Sequence, residues 1–207
     1  RTIKIFGVKK LLGCSHKIIG DRIEAFSYLC TGVITKGTIR VNNINPNYLL
    51  AELKVLKKIG CNITIKNSAI ELKIKKKLKP VKIKTAPYPG FATDNMPLLM
   101  AVLSKVEGKS EIYENVFGSY RFQAAPELAR MGASIKVKNN RAVIFGKDKL
   151  YGAECICSDL RTTFSIILGA IAANGISKIN RVYHGQRGYY NLDKKLKKIG
   201  IKIKTLT

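Results

Sequence analysis

The chain of 207 residues contains no tryptophan and only 13 acidic residues, against 38 lysines and arginines. No apolar run approaches the ~20 residues that a membrane-spanning helix needs. The first residues do not follow a signal-peptide pattern, and the paired Cys-x-x-Cys spacings of zinc sites are missing. We therefore expect a cytoplasmic protein with no membrane partner, no metal and no other cofactor.

Cysteine is present in an odd number, five, which argues against a framework of disulfide bonds. Reduced cysteines that pack as small buried apolar side chains are the interpretation we prefer. The alternative, a reactive or metal-binding thiol, has no motif to support it. The five are Cys14, Cys30, Cys61, Cys155 and Cys157.

The formal net charge of +25 allows two interpretations. One is a surface that binds a polyanion such as DNA or RNA. The other is a solvated exterior rich in lysine, without such a partner. The densest basic stretch, Lys73–Lys84, largely alternates lysine with apolar residues and carries no aromatic side chains that could stack on bases. We therefore favour the solvated exterior over a nucleic-acid partner.

What the sequence does contain is a repeat. A helix end with glycine, followed by alternating apolar and polar residues, occurs three times. The glycines, Gly60, Gly132 and Gly200, recur about every 70 residues, and a fixed period of this kind indicates a repeat architecture. Glycine supplies the left-handed residue that ends a helix, and the alternation is typical of a half-buried strand.

Each repeat begins upstream with an aspartate and an apolar helical stretch. Aspartate can stabilise a helix start by accepting hydrogen bonds from backbone N–H groups. The helix-opening aspartates are Asp21, Asp94 and Asp159, and the turns that end their helices lie at Gly37, Gly108 and Gly175. Each unit therefore reads helix, strand, helix, strand.

These units predict an α/β fold with pseudo-threefold symmetry. We expect one domain over residues 1–207, with repeats at about 20–78, 90–147 and 156–207, because no linker is long enough to separate two domains. The predicted helices are 21–36, 47–59, 95–106, 160–173 and 190–199, with one more that ends at Met131. The predicted strands are 3–6, 17–19, 38–42, 61–66, 69–75, 110–115, 134–138, 141–145, 177–181 and the tail 201–205.

Three loops at equivalent places in the repeats carry unusual residues: Thr93–Asp94, Ser158–Arg161 and Gln186–Tyr189. A carboxylate near two guanidinium groups, beside helix N-termini, would suit an anionic phosphate substrate. The alternative is that the aspartates only cap helices, which we prefer for Asp21. For Asp94 the preceding Pro-Gly-Phe turn is more elaborate than a cap requires, so we expect a functional role.

Five motifs occur in order and together resemble the C-terminal half of an enolpyruvyl transferase of the EPSP synthase family. The resemblance covers essentially the whole chain. It implies an inside-out α/β barrel of two domains, each with three repeats, of which the N-terminal domain is absent from this chain. The motifs are Gly20–Ala25, Thr85–Asp94, Pro126–Ala133, Ser158–Arg161 and Arg187–Tyr189.

The resemblance also implies a reaction. Enolpyruvyl would pass from phosphoenolpyruvate to the 3-hydroxyl of UDP-N-acetylglucosamine, the first committed step of peptidoglycan synthesis and hence of cell-wall biogenesis, cell shape and cell division. The substrates would lie between the two domains, whose closure excludes water. The expected partners are these two substrates and the missing N-terminal domain, in the same protein or as a separate chain.

Seven site residues follow from the resemblance. Asp94 matches the aspartate at the sugar 3-hydroxyl, the candidate general base, and Arg187 matches the arginine that engages the phosphate of phosphoenolpyruvate. The remaining five match substrate-binding positions, the first two at the UDP-sugar: Val116, Phe117, Arg121, Asp159 and Arg161.

The chain also departs from the family pattern. Asn95–Pro97 replaces a Gln-Ala-Gln-like run, Gly118–Tyr120 is one residue longer than usual, and Gln186 stands where the family has an aspartate. None of the cysteines matches the reactive cysteine of the absent domain. We therefore expect this chain to be inactive alone. The alternatives are a non-catalytic UDP-sugar-binding remnant, or a partner of a separate N-terminal chain.

Overall fold

The computed structural model describes residues 2–206, which form three units of helix and sheet. Arg1 and Thr207, the ends of the predicted domain, lie outside the described residues. The helices are α1 (Arg22–Ile34), α2 (Leu50–Ile59), α3 (Met96–Leu103), α4 (Ala124–Arg130), α5 (Leu160–Ala172), α6 (Tyr183–Gln186) and α7 (Leu192–Lys198). The strands are β1 (Thr38–Asn42), β2 (Asn62–Lys66), β3 (Ala69–Lys73), β4 (Lys82–Lys84), β5 (Gly108–Tyr113), β6 (Ser134–Lys138), β7 (Arg141–Gly146), β8 (Leu150–Tyr151), β9 (Glu154–Ile156), β10 (Ala173–Asn174) and β11 (Lys178–Asn180). Short 3-10 turns cover Pro46–Leu49, Thr93–Asn95 and Gly118–Phe122.

Helices α1, α3 and α5 pack against one another and form the centre of the fold. They are largely apolar on all sides, and such a helix is stable only when it is enclosed. Every residue of α3 is buried. The hydroxyl of Ser165 on α5 donates to the carbonyl oxygen of Pro97 on α3 at 2.6 Å. Within residues 2–206, no helix combines the length and the apolar character that a membrane crossing requires.

Two similar sheets pack on these helices. The first has the order β1–β3–β2 and contacts α1, and the second has the order β4–β5–β7–β6 and contacts α3. In each sheet, the middle strand, β3 or β7, is the second strand of a hairpin. It pairs antiparallel with the strand on either side. Alternate side chains of a strand point to opposite faces, and the inward residues of the middle strands, Ile70, Leu72, Ala142 and Ile144, are fully buried. The two predicted hairpins are confirmed to within two residues.

The third unit departs from the prediction. Its strand β11 pairs in parallel with β9, and β10 pairs in parallel with β8, so only two-stranded sheets form. The predicted strand 201–205 is wrong, because within residues 2–206 this tail joins no sheet. A strand needs a neighbour for its backbone N–H and C=O groups. In the first two units, the strand after the second helix pairs with the strand that follows it in a hairpin. Among the described residues, no such strand follows the tail 201–205.

The predicted strands 3–6 and 17–19 are also wrong. Residues 2–20 form no helix or strand and are exposed along their whole length. Here too the alternation of apolar and polar residues predicts a strand, but a single strand without a neighbouring strand is not stable. Conversely, strands of two or three residues such as β4 and β8 are too short for periodicity to reveal.

The helix ends largely follow the repeat signals. The carboxylate of Asp21 accepts a hydrogen bond from the N–H of Ile23 at 2.7 Å. That of Asp159 accepts from the N–H groups of Arg161 and Thr162 in the first turn of α5, at 2.8 and 2.9 Å. The second helix of each unit, α2, α4 or α7, ends close to a glycine, and these glycines, Gly60, Gly132 and Gly200, take φ angles of 111°, 91° and 92°. Any other residue would be strained at these angles, so the glycines end these helices as predicted.

The cysteines agree with the interpretation of small buried residues, with one exception. Cys14 is exposed, and the other four are buried. Burial raises the pKa of Cys61 to about 12 and that of Cys155 to about 11. The pKa values of Cys30 and Cys157 are raised by burial as well. Because the thiolate is the reactive form, these four thiols are protected both sterically and electrostatically.

We expect iodoacetamide at pH 8 to alkylate only Cys14 in the folded chain. Mass spectrometry should show a single adduct, which Cys14→Ser removes, and all five thiols should react after unfolding. Rapid alkylation of a second thiol in the folded protein would contradict the packing of the three units.

Candidate active site

Asp94 differs from its two repeat equivalents in what its side chain does. It lies in the 3-10 turn before α3, and it does not cap that helix. Its carboxylate instead accepts from the guanidinium of Arg121 at 2.9 Å and from Arg161 Nε at 3.4 Å. The side chain of Asp94 is 36% exposed, so one face of this cluster is open to solvent.

The two arginines come from different units. Arg121 lies in the 3-10 turn Gly118–Phe122 after β5, and its Nε also donates to the hydroxyl of Thr93 at 3.2 Å. Its guanidinium lies over the ring of Phe117, 4.7 Å from the centroid. Arg161 lies in the first turn of α5 and is the more buried of the two. The second unit thus supplies the carboxylate and one guanidinium group, and the third unit supplies the other guanidinium group.

Tyr189 connects this site to the first unit. Its hydroxyl lies 3.5 Å from Arg161 and shares a 2.8 Å hydrogen bond with the hydroxyl of Ser27 on α1. The ring is almost fully buried against Phe164, with centroids 4.7 Å apart. Burial raises the pKa of Tyr189, and the contacts with Ser27 and Arg161 offset this only in part. The phenol therefore stays protonated, and its hydroxyl links Arg161 to Ser27.

A buried glutamate, Glu52, fixes the turn that carries Asp94. One carboxylate oxygen accepts from the backbone N–H of Ala92 at 3.2 Å and from the side-chain amide of Asn95 at 2.9 Å. The same oxygen lies 3.4 Å from the guanidinium of Arg22 at the start of α1. A buried carboxylate is stable only with such partners, so the turn and the glutamate hold each other in place.

A second buried glutamate, Glu114, fixes the loop after β5. Its carboxylate accepts from the backbone N–H groups of Val116 at 2.8 Å and Phe117 at 3.0 Å. Its other oxygen accepts from the hydroxyl of Thr93 at 2.9 Å. The loop of Val116 and Phe117 and the turn of Asp94 are therefore positioned by one carboxylate.

The predicted site residues divide into four groups. Asp94, Arg121 and Arg161 meet directly, whereas Val116 and Phe117 lie partly exposed beside them. Asp159 is engaged as a helix cap. Burial raises its pKa, but hydrogen bonds from Thr162, Ser158 and the backbone of Arg161 outweigh this, and the net pKa is lowered. Arg187 is exposed and has no side-chain hydrogen bond or salt bridge within residues 2–206.

Several residues that contribute to the site could not be predicted from the sequence. Tyr189 belongs to a quoted motif, but nothing in the spacing indicates that its hydroxyl reaches Ser27 or Arg161. Glu52 stands in the first turn of an amphipathic helix, where an acidic residue is usually a solvated helix-dipole partner. Glu114 follows a strand and gives no signal either. These contacts join residues far apart in the chain, which local patterns do not report.

The cluster is suited to an anionic ligand. Two guanidinium groups pair with a partly exposed carboxylate, and guanidinium groups bind phosphate and carboxylate oxygens well. Among residues 2–206, no group of three or more His, Cys, Asp or Glu side chains is placed to hold a metal ion.

We expect Glu52→Ala to lower the free energy of unfolding by about 2–4 kcal/mol, because buried donors lose their acceptor. Urea unfolding followed by circular dichroism measures this loss. The matched control is Glu107→Ala, which removes an exposed carboxylate paired only with Lys77. The control should change the free energy of unfolding by less than about 0.5 kcal/mol. Equal losses in the two variants would contradict the role assigned to Glu52.

Comparison with known proteins places the chain in a family. A model of the EPSP synthase (3-phosphoshikimate 1-carboxyvinyltransferase) family matches residues 1–196. The UDP-N-acetylglucosamine 1-carboxyvinyltransferase of Pelagibacter ubique is 44% identical over 206 residues, which cover 100% of this chain and 49% of that protein. The protein of the same name from Kosmotoga olearia is 45% identical over 201 residues, covering 97% of this chain and 48% of its own length. The chain spans about half the length of these relatives.

Solved structures agree with this assignment. The crystal structure of the enolpyruvyl transferase NikO from Streptomyces tendae matches with a TM-score of 0.81 and 27% identity, over 90% of this chain and 44% of that one. The EPSP synthase of Acinetobacter baumannii matches with a TM-score of 0.70 at 19% identity, over 92% of this chain and 44% of that one, which shows a shared fold. The predicted EPSP synthase-like α/β fold is thereby confirmed.

Proposed function

The chain belongs to the EPSP synthase family, and we propose that it forms one half of an enzyme that transfers enolpyruvyl from phosphoenolpyruvate to the 3-hydroxyl of UDP-N-acetylglucosamine. The observation that carries the proposal is the carboxylate of Asp94 held between Arg121 and Arg161. The printed names of the relatives support the choice of acceptor. In this role the protein acts in the cytoplasm, at the first committed step of peptidoglycan synthesis.

Asp94 is the general base in this proposal. The 3-hydroxyl oxygen of the sugar forms a bond to C2 of phosphoenolpyruvate while its proton passes to the Asp94 carboxylate. A proton is added at C3 of phosphoenolpyruvate, and in the second step C3 loses a proton as phosphate leaves from C2. The cationic groups at this site balance the negative charge of the phosphate throughout.

The ion pairs of Asp94 explain how the base is held inactive until substrate binds. Each oxygen of the Asp94 carboxylate accepts a hydrogen bond from one guanidinium group. An anionic substrate gives Arg121 and Arg161 another partner. Asp94 then becomes available to the sugar hydroxyl at the moment when the site is filled.

The remaining residues act in binding. Val116 and Phe117 contact the UDP-sugar through a loop whose backbone Glu114 holds in place. Arg187 has no side-chain polar partner within residues 2–206, so it is free to reach the phosphate of phosphoenolpyruvate when the two halves close. Asp159 contributes indirectly, because its cap on α5 positions Arg161.

We expect the 207-residue chain to release no phosphate from phosphoenolpyruvate on its own. The relatives are about twice as long, and the proposal places the second wall of the cleft in the half that this chain does not span. A phosphate assay with UDP-N-acetylglucosamine present checks this. Substrate-dependent phosphate release by the purified chain would show that one half contains the whole site.

We expect Asp94→Ala to lower turnover about 10²-fold or more in an enzyme reconstituted from both halves, because general-base catalysis contributes this much. Binding of UDP-N-acetylglucosamine should become weaker but remain measurable by calorimetry. Steady-state kinetics give the turnover number.

The matched control for Asp94 is Asp21→Ala. Asp21 occupies the same place in the first unit, and its carboxylate is a helix cap. This variant should lose about 1 kcal/mol of stability and keep near-normal turnover. Near-normal turnover for Asp94→Ala, or equal kinetic losses for both variants, would overturn the assignment of the base.

A further inference from the structure

The outward faces of the two larger sheets differ in charge. Alternate residues of a strand point to opposite faces, and one face of each sheet packs on the helices. The other face of the sheet β4–β5–β7–β6, the basic face, carries six cationic side chains against one carboxylate, Glu111. The six are Lys82, Lys84, Lys109, Lys136, Lys138 and Arg141. The outward face of the first sheet carries three cationic side chains and one carboxylate: Arg40, Lys66, Lys73 and Glu71.

Aromatic side chains distinguish the basic face as well. Tyr113 on β5 and Phe145 on β7, the two central strands, both point outward. Counted from the inward residues of the middle strands, the first sheet has Asn42 and Lys73 at the equivalent positions. Phe145 is 40% exposed, and Tyr113 is half buried. The first unit thus shows that the fold does not require aromatic rings at these places.

Tyr113 lies among cations from two neighbouring strands. The ammonium groups of Lys82 and Lys84 on β4 are 5.2 and 5.9 Å from the centre of its ring. The guanidinium of Arg141 on β7 is 5.4 Å from it. The basic stretch Lys73–Lys84 contains no aromatic residue of its own. Only the pairing of β4 with β5 places a ring beside these lysines.

The single carboxylate of the basic face leaves several cations free. Glu111 accepts from the guanidinium of Arg141 at 2.7 Å and pairs with Lys109 at 3.2 Å. The hydroxyl of Tyr113 donates to its other oxygen at 3.1 Å. Within residues 2–206, three exposed lysines of this face have no carboxylate partner: Lys84, Lys136 and Lys138.

We propose that the basic face binds single-stranded nucleic acid. The rings of Tyr113 and Phe145 lie about 14 Å apart along the strands, four residues at ~3.4 Å each, so each ring stacks on a different base. Lysines of the edge strands β4 and β6 pair with the phosphates on either side. Sheets that recognise single-stranded RNA combine outward aromatic rings with cations in the same way. This binding does not depend on the proposed enolpyruvyl transfer.

The rings favour a single strand over other polyanions. Anionic lipid headgroups neutralise lysine equally well, but they carry no flat ring on which a side chain can stack. The bases of a duplex are stacked on one another, so its phosphates alone would reach a flat sheet face. A single strand offers both exposed bases and phosphates.

The first test measures affinity. Fluorescence anisotropy with a labelled oligouridine of about 16 nucleotides is applied to the chain alone and to the enzyme reconstituted from both halves. At ~150 mM salt we expect a Kd on the order of 10 µM for both. The logarithm of the binding constant should fall with the logarithm of the salt concentration with a slope of about −2 or steeper, because three or more phosphates are neutralised. A Kd weaker than ~100 µM in either form would overturn the proposal.

The second test separates stacking from charge. Phe145→Lys introduces the residue that the first unit carries at this position, Lys73, so the strand accommodates it. The variant gains a positive charge and loses a ring. Stacking predicts that it binds the oligouridine about 5-fold or more weakly, whereas charge alone predicts tighter binding. Unchanged or tighter binding would overturn the proposal.

Heparin, a polyanion without aromatic rings, is the control ligand for Phe145→Lys. It should bind the variant at least as tightly as the unaltered protein, because only the charge matters to it. An equal loss of affinity for heparin and oligouridine would overturn the proposal. Tighter binding of the unaltered protein to phosphatidylserine vesicles than to oligouridine would overturn it in favour of a membrane surface.

A matched pair of charge reversals locates the binding face. Lys138 and Lys66 stand at equivalent positions of the two sheets, and both are exposed. Lys138→Glu and Lys66→Glu therefore lower the net charge equally. We expect Lys138→Glu to weaken oligouridine binding about 5-fold and to reduce the salt slope by about 0.7. The change with Lys66→Glu should stay below about 2-fold. Equal losses in the two variants would overturn the proposal, because the whole chain and not this face would then attract the strand.

Discussion

Enclosure of three apolar helices is the constraint on which the rest of this structure depends. Helices α1, α3 and α5 have almost no polar face, so each must be covered by the other two and by a sheet. The packing brings the starts of the helices close together. Arg22 at the start of α1 reaches Glu52, which holds Asn95 before α3, and Arg161 at the start of α5 reaches Asp94. The site is thus a consequence of how the core is closed.

Buried carboxylates give this site its rigidity. Glu52 and Glu114 are almost completely buried, and each accepts hydrogen bonds from backbone N–H groups of the site loops. Such a group is costly to bury without partners and strongly positioned with them. Asp94 is treated differently, because its partners are arginine side chains and it remains partly exposed. A fixed frame therefore surrounds a carboxylate whose partners can change.

The strong positive charge shapes the ion pairs of this structure. With only 13 acidic residues in the chain, several of them serve more than one cation, as Glu111 does with Lys109 and Arg141. Those pairs, the hydrogen bond from Arg141 first among them, lower the pKa of Glu111 to about 2. The surplus of lysine and arginine gives a positive field that attracts anions.

The sequence by itself determined the three-unit plan, most element bounds and the family, because glycine turns, helix caps and alternating strands are local signals with a fixed period. It also singled out Asp94 through the elaborate turn before it. Only the tertiary structure decided that Asp94 pairs with two arginines whereas Asp21 and Asp159 cap helices, and that Tyr189 reaches Ser27. It alone showed that the tail 201–205 and residues 3–6 form no strand. The physical reason is the same in each case: these outcomes depend on partners far away in the chain, and local sequence specifies a surface but not what meets it.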